Sequence, residues 1–100
     1  MARKVSLSVN NVPINLDYFV SGYIDSVVGG IITSLSDTGE IDNLKLAIDN
    51  EGHVSINLNN SDIPLKFFPI DIIKSTVLGM VAPLKGVEST VNTLEITIVK

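Results

Sequence analysis

Apolar and polar residues alternate along six short stretches of the chain, and two long apolar stretches lie between them. Alternation with a period of two predicts β-strands with one buried face, because successive side chains of a strand point to opposite sides. The other face carries Ser, Asn, Lys, Glu and Thr, so we expect an antiparallel-rich sheet that is covered on one side only. The alternating stretches are residues 5–9, 12–16, 44–48, 54–58, 63–67 and 94–98.

Asparagine and glycine indicate the turns between these strands. Asn10-Asn11 separates the first two strands, and asparagine tolerates the left-handed conformation that a two-residue hairpin turn requires. A longer loop over residues 59–62 is expected in the corresponding later hairpin, where it sets Leu58 opposite Ile63. Between these hairpins, a three-residue loop that ends in a left-handed Gly52 is predicted to join two further strands.

The two long apolar stretches predict helices over residues 18–35 and 70–84. Asp17 is a plausible cap for the first helix, Pro69 suits the first turn of the second, and Pro83 should end or bend the second helix. Apolar residues wrap far around the first helix, so we expect it to contact the sheet and also the second helix or a partner chain. The predicted fold is a two-layer α+β domain, with about six strands and both helices on one face of the sheet.

The second half of the chain repeats the pattern of the first. Residues 53–60, HVSINLNN, resemble residues 4–11, KVSLSVNN, and a shift of about fifty residues aligns the remaining apolar positions. The prediction is a single domain, residues 1–100, made of tandem ββαβ units over about 4–50 and 53–100. Because fifty residues bury too little surface to fold alone, the expected ancestor is a homodimer with a twofold axis. The shift aligns Gly29 with Gly79, and we expect both near that pseudo-twofold axis, or in a close helix–sheet contact.

Composition limits the classes of function. Hydrophobic residues make up 45% of the chain and charged residues 18%, which favours a folded domain over a disordered one. The net charge of −4 argues against a surface that binds nucleic acid through its phosphates. The chain has no cysteine, so disulfide and thiolate chemistry are excluded.

The first apolar stretch raises the question of a membrane. It is slightly shorter than the ~20 residues of a typical spanning helix and contains Asp25, so no stable span is expected. The basic start MARK leads into an alternating strand pattern rather than an apolar segment, which argues against a secretory signal. With no address in the sequence, the expected location is the cytoplasm.

Groups that carry chemistry are few. His53 is the single histidine, and its position beside a hairpin turn indicates a solvated partner of Asp49 across the two strands. The stretch DNEG at the same turn resembles a calcium loop but lacks its further oxygen ligands. Asp37, Glu40 and Asp42 are interpreted as members of a polar loop. The sequence therefore predicts no catalytic residue, no metal ligand, no cofactor site and no enzyme activity.

The five aromatic residues are assigned mainly to the core, because they lie on predicted strand ends and helix faces. An exposed stacking platform for bases is therefore not expected, which also argues against nucleic acid as a partner. The aromatic residues are Tyr18, Phe19, Tyr23, Phe67 and Phe68.

Two functions fit these observations. The first is a non-enzymatic structural or protein-interaction module that forms homo-oligomers or docks on a protein partner. Its support is the wide apolar surface of the first helix, the low charge, and sheet edges that can recruit another chain. The alternative is a binder of a small apolar ligand or lipid between the sheet and the helices.

Overall fold

The structure is a computed structural model that describes residues 3–36, 41–65 and 67–100. Two helices, α1 and α2, and six strands, β1–β6, follow the predicted order. The helices are Tyr18–Ser36 and Phe67–Val81. The strands are Lys4–Val9, Val12–Ile14, Asn43–Ile48, Val54–Leu58, Ser61–Asp62 and Leu94–Val99.

The strands form one sheet in the order β2-β1-β6-β3-β4-β5, and every neighbouring pair is antiparallel. The predicted α+β class with a six-stranded antiparallel sheet is confirmed. β3 and β6 lie at the centre, and each pairs with the first strand of the other half of the chain. The last strand of each half therefore lies among strands of the other half.

One apolar layer holds the helices on the sheet. Alternate strand residues and one row of each helix make up a single buried cluster, and each such side chain contributes about 1.5–3 kcal/mol on burial. The strand residues are Leu7, Val9, Ile14, Leu44, Leu46, Ile48, Ile56, Leu58, Leu94, Ile96 and Ile98. The helix residues are Ile24, Val28 and Ile32 from α1 and Ile73, Val77 and Val81 from α2.

Two of the three predicted hairpins have the expected register. Val9 pairs with Val12 across a turn in which Asn10 and Asn11 have φ values of 53° and 65°. The hairpin that joins the two halves is also as predicted, with Ile48 opposite Val54. Its left-handed Gly52, at φ 84°, donates its backbone N–H to the Asp49 carbonyl.

The prediction for the β4–β5 hairpin is wrong by two residues in register, and the predicted strand over 63–67 is wrong as well, because β5 is Ser61–Asp62 and α2 begins at Phe67. Asn59 and Asn60 form a left-handed two-residue turn, with φ values of 52° and 70°, so Leu58 pairs with Ser61 and not with Ile63. The asparagine pair alone fixes this turn, as it does in the first hairpin. Ser61 is tolerated beside the apolar face because β5 is an exposed edge strand.

The ends of α1 agree with the sequence prediction, whereas α2, at Phe67–Val81, begins and ends three residues before the predicted 70–84. The capping residues explain these ends. The Asp17 carboxylate accepts a hydrogen bond from the backbone N–H of Val20 at 2.8 Å and caps α1. Pro69 lies in the first turn of α2, and α2 ends at Val81, two residues before Pro83. These local signals were sufficient because each acts through the backbone of its own turn.

The two helices do not approach each other at Gly29 and Gly79. A side chain at Gly29 would meet the Arg3 guanidinium at 3.5 Å, and a side chain at Gly79 would meet nothing within 4 Å in the described part of the chain. Corresponding buried residues of the two helices lie 49 residues apart, as in Ile24 and Ile73. Gly29 and Gly79 are 50 residues apart, so they point in different directions from their helices. The offset of 49 residues pairs Gly79 with Gly30.

Candidate functional site

The largest departure from the sequence interpretation is an exposed aromatic group at the start of α1. Tyr18 is 87% exposed, Phe19 75% and Tyr23 51%, although all three were predicted to lie mainly in the core. The side chains of Phe67 and Phe68, which carried the same prediction, lie outside what the structure describes. An exposed aromatic group on one face of a small domain is typical of an interaction site.

The orientation of α1 explains this exposure. Its sequence offers two adjacent apolar rows, one that includes Tyr23 and one that includes Ile24, and either can face a sheet. The sheet receives the row of Ile24, Val28 and Ile32, which are compact aliphatic residues that fit against its flat face. The bulkier row is thereby turned toward solvent.

The aromatic group has a defined geometry. The rings of Phe19 and Tyr23 stack with centroids 6.1 Å apart and planes at 21°. Together with Tyr18 and Arg3 they line a depression of about 440 Å³ beside the first turns of α1. Stacking holds two large side chains in one position, which lowers the entropy lost when a partner covers them.

An ion pair neutralises the one charged residue of α1. Arg3 Nε lies 2.9 Å from Asp25 Oδ1, and the two side chains are 26% and 22% exposed. The guanidinium crosses from the start of β1 to the flank of the helix, beside Gly29. Within α1, the one charge near the aromatic group is therefore paired, and the exposed Asp17, which caps the helix, lies beside Tyr18.

Small residues continue the same surface along the helix. Thr33 Oγ1 and Ser34 Oγ donate hydrogen bonds to the carbonyls of Gly29 and Gly30, each at 3.0 Å. These bonds satisfy the hydroxyl donors within the helix and leave methyl and methylene groups outermost. We call the uncharged outward row the α1 outer face. It consists of Phe19, Gly22, Tyr23, Ser26, Gly30 and Thr33.

A groove separates the C-terminal half of α1 from the start of α2. Its volume is about 400 Å³, and its lining is almost entirely apolar. Ile72 projects from α2 at its border and is 49% exposed. The lining residues are Gly30, Ile31, Ser34, Leu35, Pro69, Ile72 and Ile73.

The uncovered face of the sheet is polar, as predicted. Lys45 Nζ and Glu95 Oε2 lie 3.4 Å apart across β3 and β6, and both side chains are largely in solvent. A shallow depression of about 260 Å³ lies on this face beside Ser8, His53 and Glu95. Lys66, which was also assigned to the polar face, lies outside the described residues.

The hairpin that joins the two halves brings three potential metal ligands together. Ligand atoms of Asp49, Glu51 and His53 lie within 4.8 Å of one another, and all three residues are exposed. The predicted pairing of His53 with Asp49 is present, with Nδ1 3.4 Å from Oδ2. The sequence analysis considers Asp49 and Glu51 together in the DNEG stretch but not with His53, although the spacing D-x-E-x-H of all three is a signal.

Turn geometry accounts for the Asp49 carboxylate. Its Oδ1 accepts hydrogen bonds from the backbone N–H groups of Glu51 and His53, each at 2.9 Å. The His53 backbone bond is the main cause of a pKa of Asp49 below its ordinary value of 3.8. Desolvation opposes this shift, and the Glu51 bond and the His53 side chain add to it. One of the three potential ligands is thus already engaged in forming the turn.

The acidic loop after α1 is described in part. Asp42 lies 3.6 Å from the Lys100 ammonium and is exposed, whereas Asp37 and Glu40 lie outside the described residues. No grouping of Asp42 with other potential metal ligands is found in the described part of the chain.

Both edges of the sheet are poorly suited to recruit another strand. β2 is three residues long and contains Pro13, which has no backbone N–H to donate. β5 has only two residues, and its Asp62 accepts a hydrogen bond from the Asn57 amide at 2.9 Å. Short edges with proline or acidic residues disfavour edge-to-edge pairing.

One 18-residue segment, Tyr18–Leu35, is long and apolar enough to cross a membrane on length and composition alone. Its mean hydropathy is 1.2, and 17% of it is buried in the fold. The sequence-based expectation of no stable span stays a prediction.

No protein-family model matches this chain, and comparisons with curated proteins and with solved structures found no match. The function is therefore argued from the surface described above.

Proposed function

We propose that this protein is a non-enzymatic interaction module that associates with further copies of itself through the α1 outer face. The observation that carries the proposal is the exposure of Phe19 and Tyr23 on this face, with Tyr18 beside it. The one charged residue of the helix, Asp25, is paired with Arg3. Aromatic residues are enriched, and charged residues depleted, at the centres of protein interfaces.

The other surfaces are less suited to this role. The open face of the sheet bears Lys45, Glu95 and exposed polar groups, whose desolvation is costly. The edge strands are short, and β2 contains proline. The helical layer combines large exposed apolar side chains with few charges, so its burial is the most favourable.

We also propose that the chain arose by duplication of a ββαβ unit, with a pseudo-twofold axis between β3 and β6. Strand order supports it: exchanging the strands of the two units turns β2-β1-β6-β3-β4-β5 into the same order reversed. Helix position supports it as well, because Tyr18 and Phe67, the first residues of α1 and α2, lie 49 residues apart. The buried rows of the two helices have the same offset.

The two Asn-Asn turns give the most specific support for duplication. Asn10 Oδ1 accepts hydrogen bonds from the backbone N–H groups of Asn92 and Thr93, at 2.7 and 3.0 Å. Asn59 Oδ1 accepts from those of Asp42 and Asn43, at 2.8 and 3.0 Å. Each turn thus holds the segment before the last strand of the other half. This reciprocal exchange is the pattern expected of an intertwined homodimer whose chains became fused.

Native mass spectrometry and light scattering from low to high micromolar concentration test the proposed function. We expect a dimer that dissociates on dilution. Ser26→Glu introduces a charge at the centre of the α1 outer face, and we expect it to weaken the dimer at least tenfold. Ser55→Glu, on the open face of the sheet, is the matched control and should leave association unchanged. A wild-type protein that is monomeric at every concentration would refute self-association.

The groove between the helices favours a second candidate function, the binding of a small apolar ligand. Its volume of about 400 Å³ lies within the range of ligand pockets, and Ile31, Leu35 and Ile72 supply an apolar lining. The location differs from the original expectation of a site between the sheet and the helices. The same native spectra distinguish the two functions: a monomer that carries a reproducible non-covalent adduct, lost on denaturation, supports ligand binding over self-association.

A further inference from the structure

We infer that two copies pack with their α1 helices antiparallel across a twofold axis at Ser26, so that Phe19 and Tyr23 of each copy enter the inter-helix groove of the other. This inference rests on the proposed self-association and specifies its geometry. Ser26 suits the axis because it lies midway between the aromatic pair and the groove, at the centre of the α1 outer face.

The spacing along α1 makes the surface self-complementary. A twofold axis at Ser26 places Phe19 opposite Thr33 of the second copy, since each is seven residues from the axis. Tyr23 falls opposite residues 29–30, and helical side chains incline toward the N-terminus, which carries its ring toward Ser34 of the second copy. Gly30 and Ser34 are groove-lining residues. The projecting side chains and the groove therefore meet along the helix.

The two features also match around the helix. At 100° per residue, Tyr23 lies about 60° from Ser26, and Gly30 and Ser34 lie about 40° and 80° from it on the same side. The twofold axis lies in the plane of the interface and is perpendicular to α1. Rotation about this axis leaves residues on the α2 side of the helix on that same side. Tyr23 of one copy therefore meets Gly30 and Ser34 of the other copy on the side of α2. Gly22 and Gly30 leave room for the two helix backbones to approach closely.

The contact area is sufficient for a reversible dimer. Aromatic side chains bury about 200 Å² each, so Phe19 and Tyr23 at their exposures of 75% and 51% offer about 250 Å² per copy. The groove that receives them loses a similar area. Doubled by symmetry, this gives about 1,000 Å² in total, which is the size expected of a weak, reversible interface.

Charge permits this arrangement. Each copy has a net charge of −4, so two copies repel, and this repulsion is smallest where the contact itself is neutral. The residues of the α1 outer face are uncharged, and the Arg3–Asp25 pair beside them has no net charge. The exposed Asp71 of α2 lies one turn before Ser75, which makes the corresponding face of α2 less suited to the axis.

Disulfide trapping tests the geometry, because the chain has no cysteine of its own. Ser26→Cys places the thiol on the proposed axis, where two copies lie close enough to form an S–S bond with loss of two protons and two electrons to a copper–phenanthroline oxidant. We expect rapid formation of a covalent dimer at micromolar concentration. Ser55→Cys, on the opposite side of the molecule, should react at least tenfold more slowly.

A second measurement tests the insertion of the aromatic pair. Tyr23→Ala and Ile72→Ala should each raise the dimer dissociation constant about tenfold. The double variant should raise it by less than the product of the two single effects, because the two side chains touch across the interface. Fully additive effects would overturn this contact. A dimer that forms in solution but is trapped faster through Ser75→Cys than through Ser26→Cys would overturn the geometry while leaving the proposed function intact. A protein that stays monomeric would overturn both.

Discussion

The outer surfaces of α1 and α2 share a pattern that is clearest when residues 49 apart are compared. Tyr23, Ser26 and Gly30 of α1 correspond to Ile72, Ser75 and Gly79 of α2, and all six are exposed. Tyr23 and Ile72 even have similar exposures, 51% and 49%. Each helix thus presents one large apolar residue followed by two small ones, while its buried row contacts the sheet.

The differences between the helices identify the candidate interaction surface. Gly22 of α1 corresponds to the charged Asp71 of α2. Asp25 of α1 is paired with Arg3, and Lys74 occupies the matching place in α2. The Lys74 ammonium lies against Gly52, where a Cβ atom would be only 2.7 Å from it. Tyr18 and Phe19 correspond to Phe67 and Phe68, whose side chains lie outside the described residues. Features that both helices share hold the sheet. Among the described side chains, Tyr23 in place of Ile72 and the neutral surface around it distinguish α1 and point to a partner.

The largest predicted effect tests whether the buried rows are equivalent. Ile24→Ala and Ile73→Ala each remove a buried side chain against the sheet, and we expect each to lower the free energy of unfolding by about 2–5 kcal/mol. The two losses should agree within about 1 kcal/mol, because the helices occupy corresponding places. Urea denaturation monitored by circular dichroism measures both.

Matched controls come from the neighbouring exposed positions. Tyr23→Ala and Ile72→Ala should cost less than about 1 kcal/mol of stability at concentrations where the protein is monomeric, since exposed substitutions have small effects. If Tyr23→Ala destabilises the monomer as much as Ile24→Ala, then Tyr23 belongs to the core and the comparison of the two helices fails.

The next effect compares the two Asn-Asn turns. Alanine at Asn10 or Asn59 must adopt a positive φ, which costs about 1–2 kcal/mol, and it removes an acceptor for two backbone N–H groups, worth about 1 kcal/mol. We therefore expect a loss of about 2–3 kcal/mol for each variant by urea denaturation. Glycine at the same positions removes the strain but does not restore the hydrogen bonds, and should cost about 1 kcal/mol.

The glycine variants separate the two contributions. If Asn10→Gly and Asn59→Gly are as stable as the wild type, the hydrogen bonds to the opposite half contribute nothing. A large loss in one half with none in the other would contradict the proposed duplication, because corresponding turns should have corresponding energies.

Local patterns predicted much of this fold. The alternation of Leu44 and Leu46 fixed a strand, and the turn at Gly52 fixed the register of its hairpin, because both act over a few residues. The predicted register of the β4–β5 hairpin was wrong because Ser61 and Asp62 are polar, and their polarity suggested a longer loop. The Asn59-Asn60 turn determines the backbone there, whatever polarity follows it.

The candidate site could not be predicted in the same way. Two apolar rows of α1 lie side by side, and composition does not say whether Tyr23 or Ile24 faces the sheet. That choice depends on how aliphatic side chains fit against the facing strands, which is a property of the assembled layer. Aromatic residues are usually buried, so the general rule was wrong for Phe19 and Tyr23.

The smallest predicted effect concerns the hairpin that joins the two halves and has no counterpart elsewhere in the repeat. Backbone N–H groups of His53 and Glu51 stabilise the ionised Asp49 carboxylate, so its folded-state pKa lies below the ordinary value of 3.8. A depressed pKa stabilises the fold at pH values above the unfolded-state pKa. This contribution is lost as the pH falls through the folded-state pKa. Carboxyl-carbon NMR titration should give a midpoint below 3.8, and Asp49→Asn should abolish the accompanying change in stability while Glu88→Gln preserves it. A midpoint at or above 3.8 would show that the turn does not favour the charged form of Asp49. The hairpin would then be stabilised by its backbone hydrogen bonds alone.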